Sequence, residues 1–323
     1  MRSRWSVCVW MICVLAVSLW ALAVPAAGSA RGGSAMCSDG AAGGGEPAWC
    51  AALRPAPEVP RLGAGPLLDP TDTGWAWDFF TGDLGSFPLN NFPAFSDVGT
   101  NLGELYALDF DETATTLYAL DSGTLEFGTL SLANAAFTAI GPSAPTQPGQ
   151  DLWSGMTIDP VSGTIYASAI AGNVNVPYSL YTINPATGAP SLVGSDATTM
   201  AMIDIAIDCD GEMYGHDIVT DSIYQIDPAD GSVTLVGPTG VDSNFAQGMD
   251  FDNEAGVLYA WTYQGGGANQ YGTINLSTGA LTPLSVSNPI GEWEGTVQNE
   301  CVPPIFEDGF ESGDTTAWSS TTP

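Results

Sequence analysis

Four aspartates, Asp111, Asp159, Asp208 and Asp252, close four short segments of one form: Leu108-Asp-Phe-Asp111, Met156-Thr-Ile-Asp159, Ile205-Ala-Ile-Asp208 and Met249-Asp-Phe-Asp252. Carboxylates that recur at one structural position can converge, and oxygen ligands of that kind suit Ca²⁺, with no basic residue nearby to compete. The simpler role for each Asp is to open a turn by accepting hydrogen bonds from backbone a few residues on. Asp208-Cys-Asp-Gly-Glu212 begins like a calcium loop but lacks the remaining ligands at loop spacing. A second acidic set, Glu104, Asp151, Asp204 and Glu292, stands near the starts of apolar segments. Carboxylates so placed could hold a metal or act as an acid–base pair, as in a metal-dependent hydrolase or a lactonase-like enzyme.

Other routes to catalysis are narrow. His216 is the single histidine, so a histidine-rich metal site is excluded, and no serine nucleophile is paired with it. Gly265-Gly266-Gly267 is followed by neither Lys nor a helix pattern, which argues against a phosphate cradle. A further set falls in connecting segments: Trp153, Asn173, Tyr178, His216, Asp217, Tyr263 and Gln270. Rings beside amides and carboxylates suit recognition of a sugar or peptide.

The charge balance removes whole classes of partner. The chain carries 36 acidic residues against five Arg and no Lys, for a formal net charge of −31. All five (Arg2, Arg4, Arg31, Arg54 and Arg61) precede Leu62. Nucleic acid and anionic lipid are both drawn to basic residues, so neither is an expected partner.

The elements that must position these residues come from a repeat. Phe127–Gly141 aligns without gaps to Leu180–Gly194, Ile223–Gly237 and Tyr271–Ser285, and a weaker copy runs from Leu84 to Gly99. The mean spacing is about 47 residues, a propeller-blade length. Each copy is a hairpin around a turn such as Asn184-Pro-Ala-Thr-Gly188 or Asp227-Pro-Ala-Asp-Gly231, in which Asp or Asn caps, Pro fixes φ and Gly takes the left-handed position. A second hairpin precedes most copies, so each unit is a four-stranded blade. The first copy lacks an inner strand. Glu292–Val297 has the length to supply it, with Trp293 read at the position of Met156 and Met249, which would close the ring and satisfy its open edges. The expected fold is an all-β propeller of five four-stranded blades, with six or seven as the alternative.

The two ends of the chain read as export features. Residues 1–30 have the basic start, apolar run and small residues of a secretory signal peptide. Residues 31–70 read as a Gly/Pro-rich leader, 71–300 as the propeller and 301–323 as an acidic tail. Removal of the signal leaves four cysteines in an oxidising compartment. The preferred pairs are Cys37–Cys50, within the leader, and Cys209–Cys301, which would pin the closing strand. No stable membrane span is expected after cleavage, and the oligomeric state is left open.

The Tyr-x-Ile-Asp/Asn-Pro-Ala-x-Gly repeats, as in Tyr181–Gly188 and Tyr224–Gly231, resemble those of secreted bacterial β-propeller proteins, including a repeat family of uncharacterised function. Phe306-Glu-Asp-Gly-Phe-Glu-Ser-Gly-Asp314 resembles a C-terminal signature of exported Gram-negative proteins. These resemblances imply a secreted, periplasmic or surface-located bacterial protein. The leading expectation is a module that binds an extracellular glycan or protein. A hydrolase at the channel mouth and a structural envelope component are the alternatives.

Overall fold

The computed structural model describes residues 72–298 and Cys301, apart from residues 93, 245–247, 267 and 286–290. The signal segment, leader, acidic tail, Cys37 and Cys50 lie outside the described residues. Twenty strands, numbered β1 to β20 in chain order, form five antiparallel sheets of four, a five-bladed β-propeller. Four blades are continuous in sequence and begin with inner strands β4 (Leu105–Phe110), β8 (Leu152–Ile158), β12 (Met202–Ile207) and β16 (Gly248–Asp252). The first blade is split: β1 (Thr73–Asp78), β2 (Asp83–Pro88) and β3 (Ser96–Thr100) are completed by β20 (Trp293–Gln298). The strand expected from the C-terminal side is therefore present and supplies the inner edge. Its register differs from expectation by two residues. Val297 accepts the interblade role that Ile158 and Ile207 have, so Gly295 rather than Trp293 matches Met156 and Met249.

The outer hairpins follow from local turn chemistry. In the turn between β10 (Ser179–Ile183) and β11 (Pro190–Ser195), Asn184 Oδ1 accepts the Ala186 N–H at 2.9 Å and Gly188 closes back on the Asn184 carbonyl at 2.8 Å. Gly188 has φ of 73°, a conformation open to glycine. The same glycine also lets blades approach: a Cβ there would meet the Gly141 carbonyl of the preceding blade at 2.7 Å. Gly231 stands against Gly194 in the same way. In the second blade Ala135, with φ of 57°, takes the left-handed position.

The core is five cores, one between each pair of neighbouring blades. Trp75, Trp77 and Leu84 of the first blade pack on Leu105, Leu108 and Phe110 of the second, and Ala107, Leu120 and Phe127 pack on Trp153, Met156 and Tyr181 of the third. The fifth blade meets the first through Tyr259, Trp261 and Tyr271 against Phe87, Phe92 and Trp293. Burying a large aromatic side chain removes about 150–250 Å² from water, worth roughly 4–6 kcal/mol before entropy. The closing interface is the most aromatic, which compensates for a blade made from distant segments.

All inner strands run in the same direction around the axis. Their starts define one face, called the entrance face below, and their ends the exit face. Cys209, just past β12, is bonded to Cys301, just past β20, with Cα atoms 5.8 Å apart. This is the pairing expected from the sequence. It clips the exit end of the closing strand to the fourth blade.

Candidate functional site

Two places gather side chains able to do chemistry: the axis and the entrance face. On the axis, one step of each inner strand presents Asp109, Thr157, Ala206, Asp250 and Thr296. Asp109 Oδ2 accepts the Ile158 N–H at 2.7 Å, Thr157 Oγ1 the Ile207 N–H at 3.1 Å and Asp250 Oδ2 the Val297 N–H at 2.6 Å. Each bond ties a blade to the next. The Thr296 hydroxyl stands 2.8 Å from Asp109 Oδ1 and 2.7 Å from Asp250 Oδ2. A hydroxyl has one proton to donate, so a second hydrogen bond requires a proton on one of the two carboxyls.

The electrostatics agree with that count. Burial, with the charge of Asp250 added, pushes Asp109 well above the usual carboxylate range. Burial pushes Asp250 up to about 6, against the pull of hydrogen bonds from Val297, Thr296 and Phe251. Two residues nearer the entrance stand Asp204 and Glu294. Asp204 accepts N–H bonds from Ile205 at 2.8 Å and Met249 at 2.5 Å, yet burial still raises it well above its usual range. Glu294 is 1% exposed and both its carboxylate oxygens lack a hydrogen-bond partner. Burial and then the charge of Asp204 push it up strongly. No Lys or Arg follows Arg61, and His216 is pushed down to about 4 by burial despite Asp217 beside it. Among the described residues these raised acids thus have no Lys or Arg as partner.

The exit end of the axis opens into a small cavity lined by Asp109, Asp111, Asp250 and Asn253, with ≈ 20 Å³ open to the centre of a water molecule. That is room for a single water. The four exit-face aspartates cap turns: Asp111 Oδ1 accepts the N–H of Thr115 and Thr116, Asp159 Oδ1 those of Val161 and Ser162, Asp208 Oδ1 those of Asp210 and Glu212, and Asp252 Oδ1 that of Ala255. Among the described residues, no group of three or more His, Cys, Asp or Glu is placed to hold a metal ion.

The entrance face has a different character. The turn after β1 projects Phe79 and Phe80, 37% and 55% exposed, with Leu102 beside them at 64%. Ring centroids run from Tyr106 to Phe79 at 5.5 Å, Phe79 to Phe80 at 5.8 Å and Phe80 to Tyr263 at 6.1 Å, so one string of rings crosses the first, second and fifth blades. Burial first, and then the charges of Glu104, Glu292 and Asp121, raise the Tyr106 hydroxyl far above its usual range. Those three carboxylates thus face a single ring. Glu292, held by its own N–H to Asp78 Oδ1 at 3.2 Å, is pushed up to about 8 by burial and then by the Asp78 charge.

The residues singled out in the sequence are dispersed by this geometry. Trp153 and Tyr178 are fully buried, with the indole N–H donated to the Ser143 carbonyl and the Tyr178 hydroxyl to that of Gly231. They are core residues between blades, and neither offers a stacking face. His216 and Asp217 are also interior, the latter accepting N–H bonds from Met200, Ala201, Val219 and Thr220. Asn173 is exposed, while Tyr263 and Gln270 are half-buried, and of this set Tyr263 alone joins the ring string. Of the channel-mouth carboxylates, Glu104 and Glu292 meet at Tyr106. Asp151 is exposed and caps Gly172 at 2.8 Å, and Asp204 belongs to the buried axis. Sequence reasoning missed Phe79, Phe80, Asp109, Asp250 and Glu294. For the axial pair the available signal was an Asp two residues before two of the four exit aspartates, in Leu108-Asp-Phe-Asp111 and Met249-Asp-Phe-Asp252.

Several solved structures are similar to this chain at low identity. A chain of a nidogen/laminin complex is 13% identical, with a TM-score of 0.44, over 71% of this chain and 100% of that one. A Bacteroides thetaiotaomicron protein of unknown function is 20% identical, with a TM-score of 0.39, over 57% of this chain and 52% of that one. A putative TolB from Agrobacterium tumefaciens is 13% identical, with a TM-score of 0.40, over 67% of this chain and 70% of that one. Comparison with curated proteins finds no match. The model of one repeat family does match, from residue 88 to residue 295, and so spans most of the ring. A chain whose blades fall under that model is a member of the family described as "Repeat of unknown function (DUF6923)".

Proposed function

We propose that this propeller is an extracellular binding module whose ligand docks on the entrance face. The observation that carries the reading is the string Tyr106–Phe79–Phe80–Tyr263, in which two phenylalanines stand in solvent on an otherwise acidic surface. Tyr106 packs on the core between the first two blades, but Phe80, more than half exposed, adds little to that packing. A contiguous apolar patch with a polar rim is a surface suited to a partner. The Cys209–Cys301 bond supports an oxidising setting, in keeping with export. No helix among the described residues is long and apolar enough to cross a membrane. The cavity at the exit end of the axis, by contrast, has room for a single water.

The test is a panel of extracellular glycans and peptides screened against the full chain and against Phe79→Ala/Phe80→Ala. A ligand that binds the parent and is lost by the double variant, but kept by Asp210→Asn at the exit face, supports the reading. Ligands lost equally by both variants, or by neither, would overturn it.

A further inference from the structure

We infer that the entrance face takes the lysine and arginine side chains of a basic protein or peptide, which stack on the Phe79–Phe80 rings while their charge meets the exposed Glu104; this rests on the entrance face being the binding face. Three features of this face favour a cation over a neutral or anionic ligand.

The first is the combination of ring faces and carboxylates. The face of an aromatic ring carries negative potential, and a guanidinium or ammonium placed over it is held by that field. Phe79 is packed edge-on against Trp77, at 6.1 Å and 76°, so it is held in place from below while 37% of it stays exposed. Phe80 leans on Tyr263 at 63° and is more than half exposed. Glu104 is exposed and its charge acts on Tyr106, the first ring of the string, whereas Glu292 and Asp121 are buried.

The second is the want of any neutralising charge. From Leu62 onward the chain has no Lys or Arg, and the one histidine is buried elsewhere. Among the described residues Glu104 therefore has no Lys or Arg to pair with. A neutral sugar would strip water from that carboxylate and return only neutral hydrogen bonds, and an anion would be repelled. A cation gains from the carboxylate and the rings at once.

The third is shape. Phe80 and Leu102, at 55% and 64% exposure, stand out from the surface instead of lining a pocket. A backbone turn supports them: a Cβ on Gly82, whose φ is 76°, would strike the Asn101 carbonyl at 2.3 Å and Leu102 at 3.0 Å. The turn is thus packed tightly against the loop that carries Leu102. A protruding apolar ridge edged with acid fits the surface of a polypeptide better than a small enclosed ion, and planar guanidinium groups suit both ring stacking and carboxylates.

The experiment uses the full chain and a fluorescently labelled peptide of alternating Gly and Arg, with the same peptide carrying neutral citrulline in place of Arg, and a neutral oligosaccharide panel. The Arg peptide is expected to bind at least tenfold more tightly than the citrulline peptide. Phe79→Ala/Phe80→Ala, which leaves net charge unchanged, should weaken it about tenfold, as should Phe80→Ala in part. Glu104→Gln should weaken binding severalfold, whereas Asp210→Asn, an equal charge change at the exit face, should not. Equal losses for Glu104→Gln and Asp210→Asn with no loss for the Phe variants would mean that diffuse surface acidity attracts the peptide, and would overturn the inference. A citrulline peptide or neutral sugar that binds and is lost by the Phe variants would keep the entrance face as the binding face and overturn its choice of cations. Indifference of every probe to the Phe variants would overturn both. Thermal melts of each variant separate loss of binding from loss of fold.

Discussion

Asp109, on β4, and Asp111, just past its end, are two residues apart and live in opposite surroundings. Asp109 is buried on the axis and pushed up by burial and by Asp250, while Asp111 opens a turn at the rim. Partial burial works to raise Asp111, but N–H bonds from Thr116 and Thr115 outweigh it and hold the carboxyl below its usual range. In the fifth blade Asp250 likewise ties its blade to the next, while Asp252, although buried, caps a turn through the Ala255 N–H. One strand period thus separates an acid that holds blades together, next to a shared proton, from an acid that shapes a loop. The lesson is that residue type does not fix a carboxylate's role; its place along the blade does, because that decides whether the N–H groups it meets belong to the next blade or to its own turn.

The largest effect should come from the axis. Asp109→Ala leaves the N–H groups of Ile158 and Phe110 buried without their acceptor. At about 1–3 kcal/mol for each stranded group, the loss should be about 4 kcal/mol by denaturant unfolding. Asp109→Asn, which keeps a carbonyl, should cost much less. Equal costs for the two variants would mean that the axial hydrogen bonds do little.

The next effect is the dependence on pH. Asp250 has a folded pKa of about 6 and Glu292 of about 8, both above the unfolded carboxylate range near 4. Between those limits the folded state binds more protons than the unfolded one. Stability should therefore be greatest in mild acid and should fall as pH rises from about 5 to 8. His216, at about 4 when folded, works the other way up to its unfolded value of about 6.5, but one histidine opposes several raised acids. The measurement is Tm across this range, and a Tm that climbs steadily toward pH 8 would break the contrast. Asp250→Asn should flatten the profile near pH 6.

Smaller still is the rim. Asp159→Ala removes an exposed turn cap and should cost about 1 kcal/mol, with the fold retained. A cost as large as that of Asp109→Ala would erase the distinction between axis and exit face. The smallest change belongs to Phe80→Ala, within about 0.5 kcal/mol of the parent in denaturant midpoint, as suits a surface ring outside the core.

The blades were legible because their signals are local. Asp227-Pro-Ala-Asp-Gly231 encodes its turn within five residues, and the missing inner strand of the first blade pointed to a donor near Glu292. The Cys209–Cys301 pair followed from that same closure. The site was less legible. Trp153 begins an inner strand, and a ring at a strand end reads as a loop residue until the neighbouring blade is seen to cover it. Phe79 and Phe80 sit in a turn of the split blade, outside the well-aligned repeats. Burial of Asp109, Asp250 and Glu294 depends on five strands meeting at an axis, a property that no single repeat contains.

The split first blade also sets an order of events. β1 acquires its inner neighbour only when β20 arrives, with Trp75 opposite Thr296, some two hundred residues later. Bringing those ends together costs on the order of 5 kcal/mol of chain entropy, far more than any hairpin within a blade. During synthesis the second to fourth blades can form as they emerge, while the first waits with an unpaired edge and the fifth with an uncovered aromatic face. Completion of the ring is therefore a late, all-or-none step, and a chain cut short before Trp293 would expose both surfaces to its neighbours, as an aggregating fragment rather than a smaller propeller.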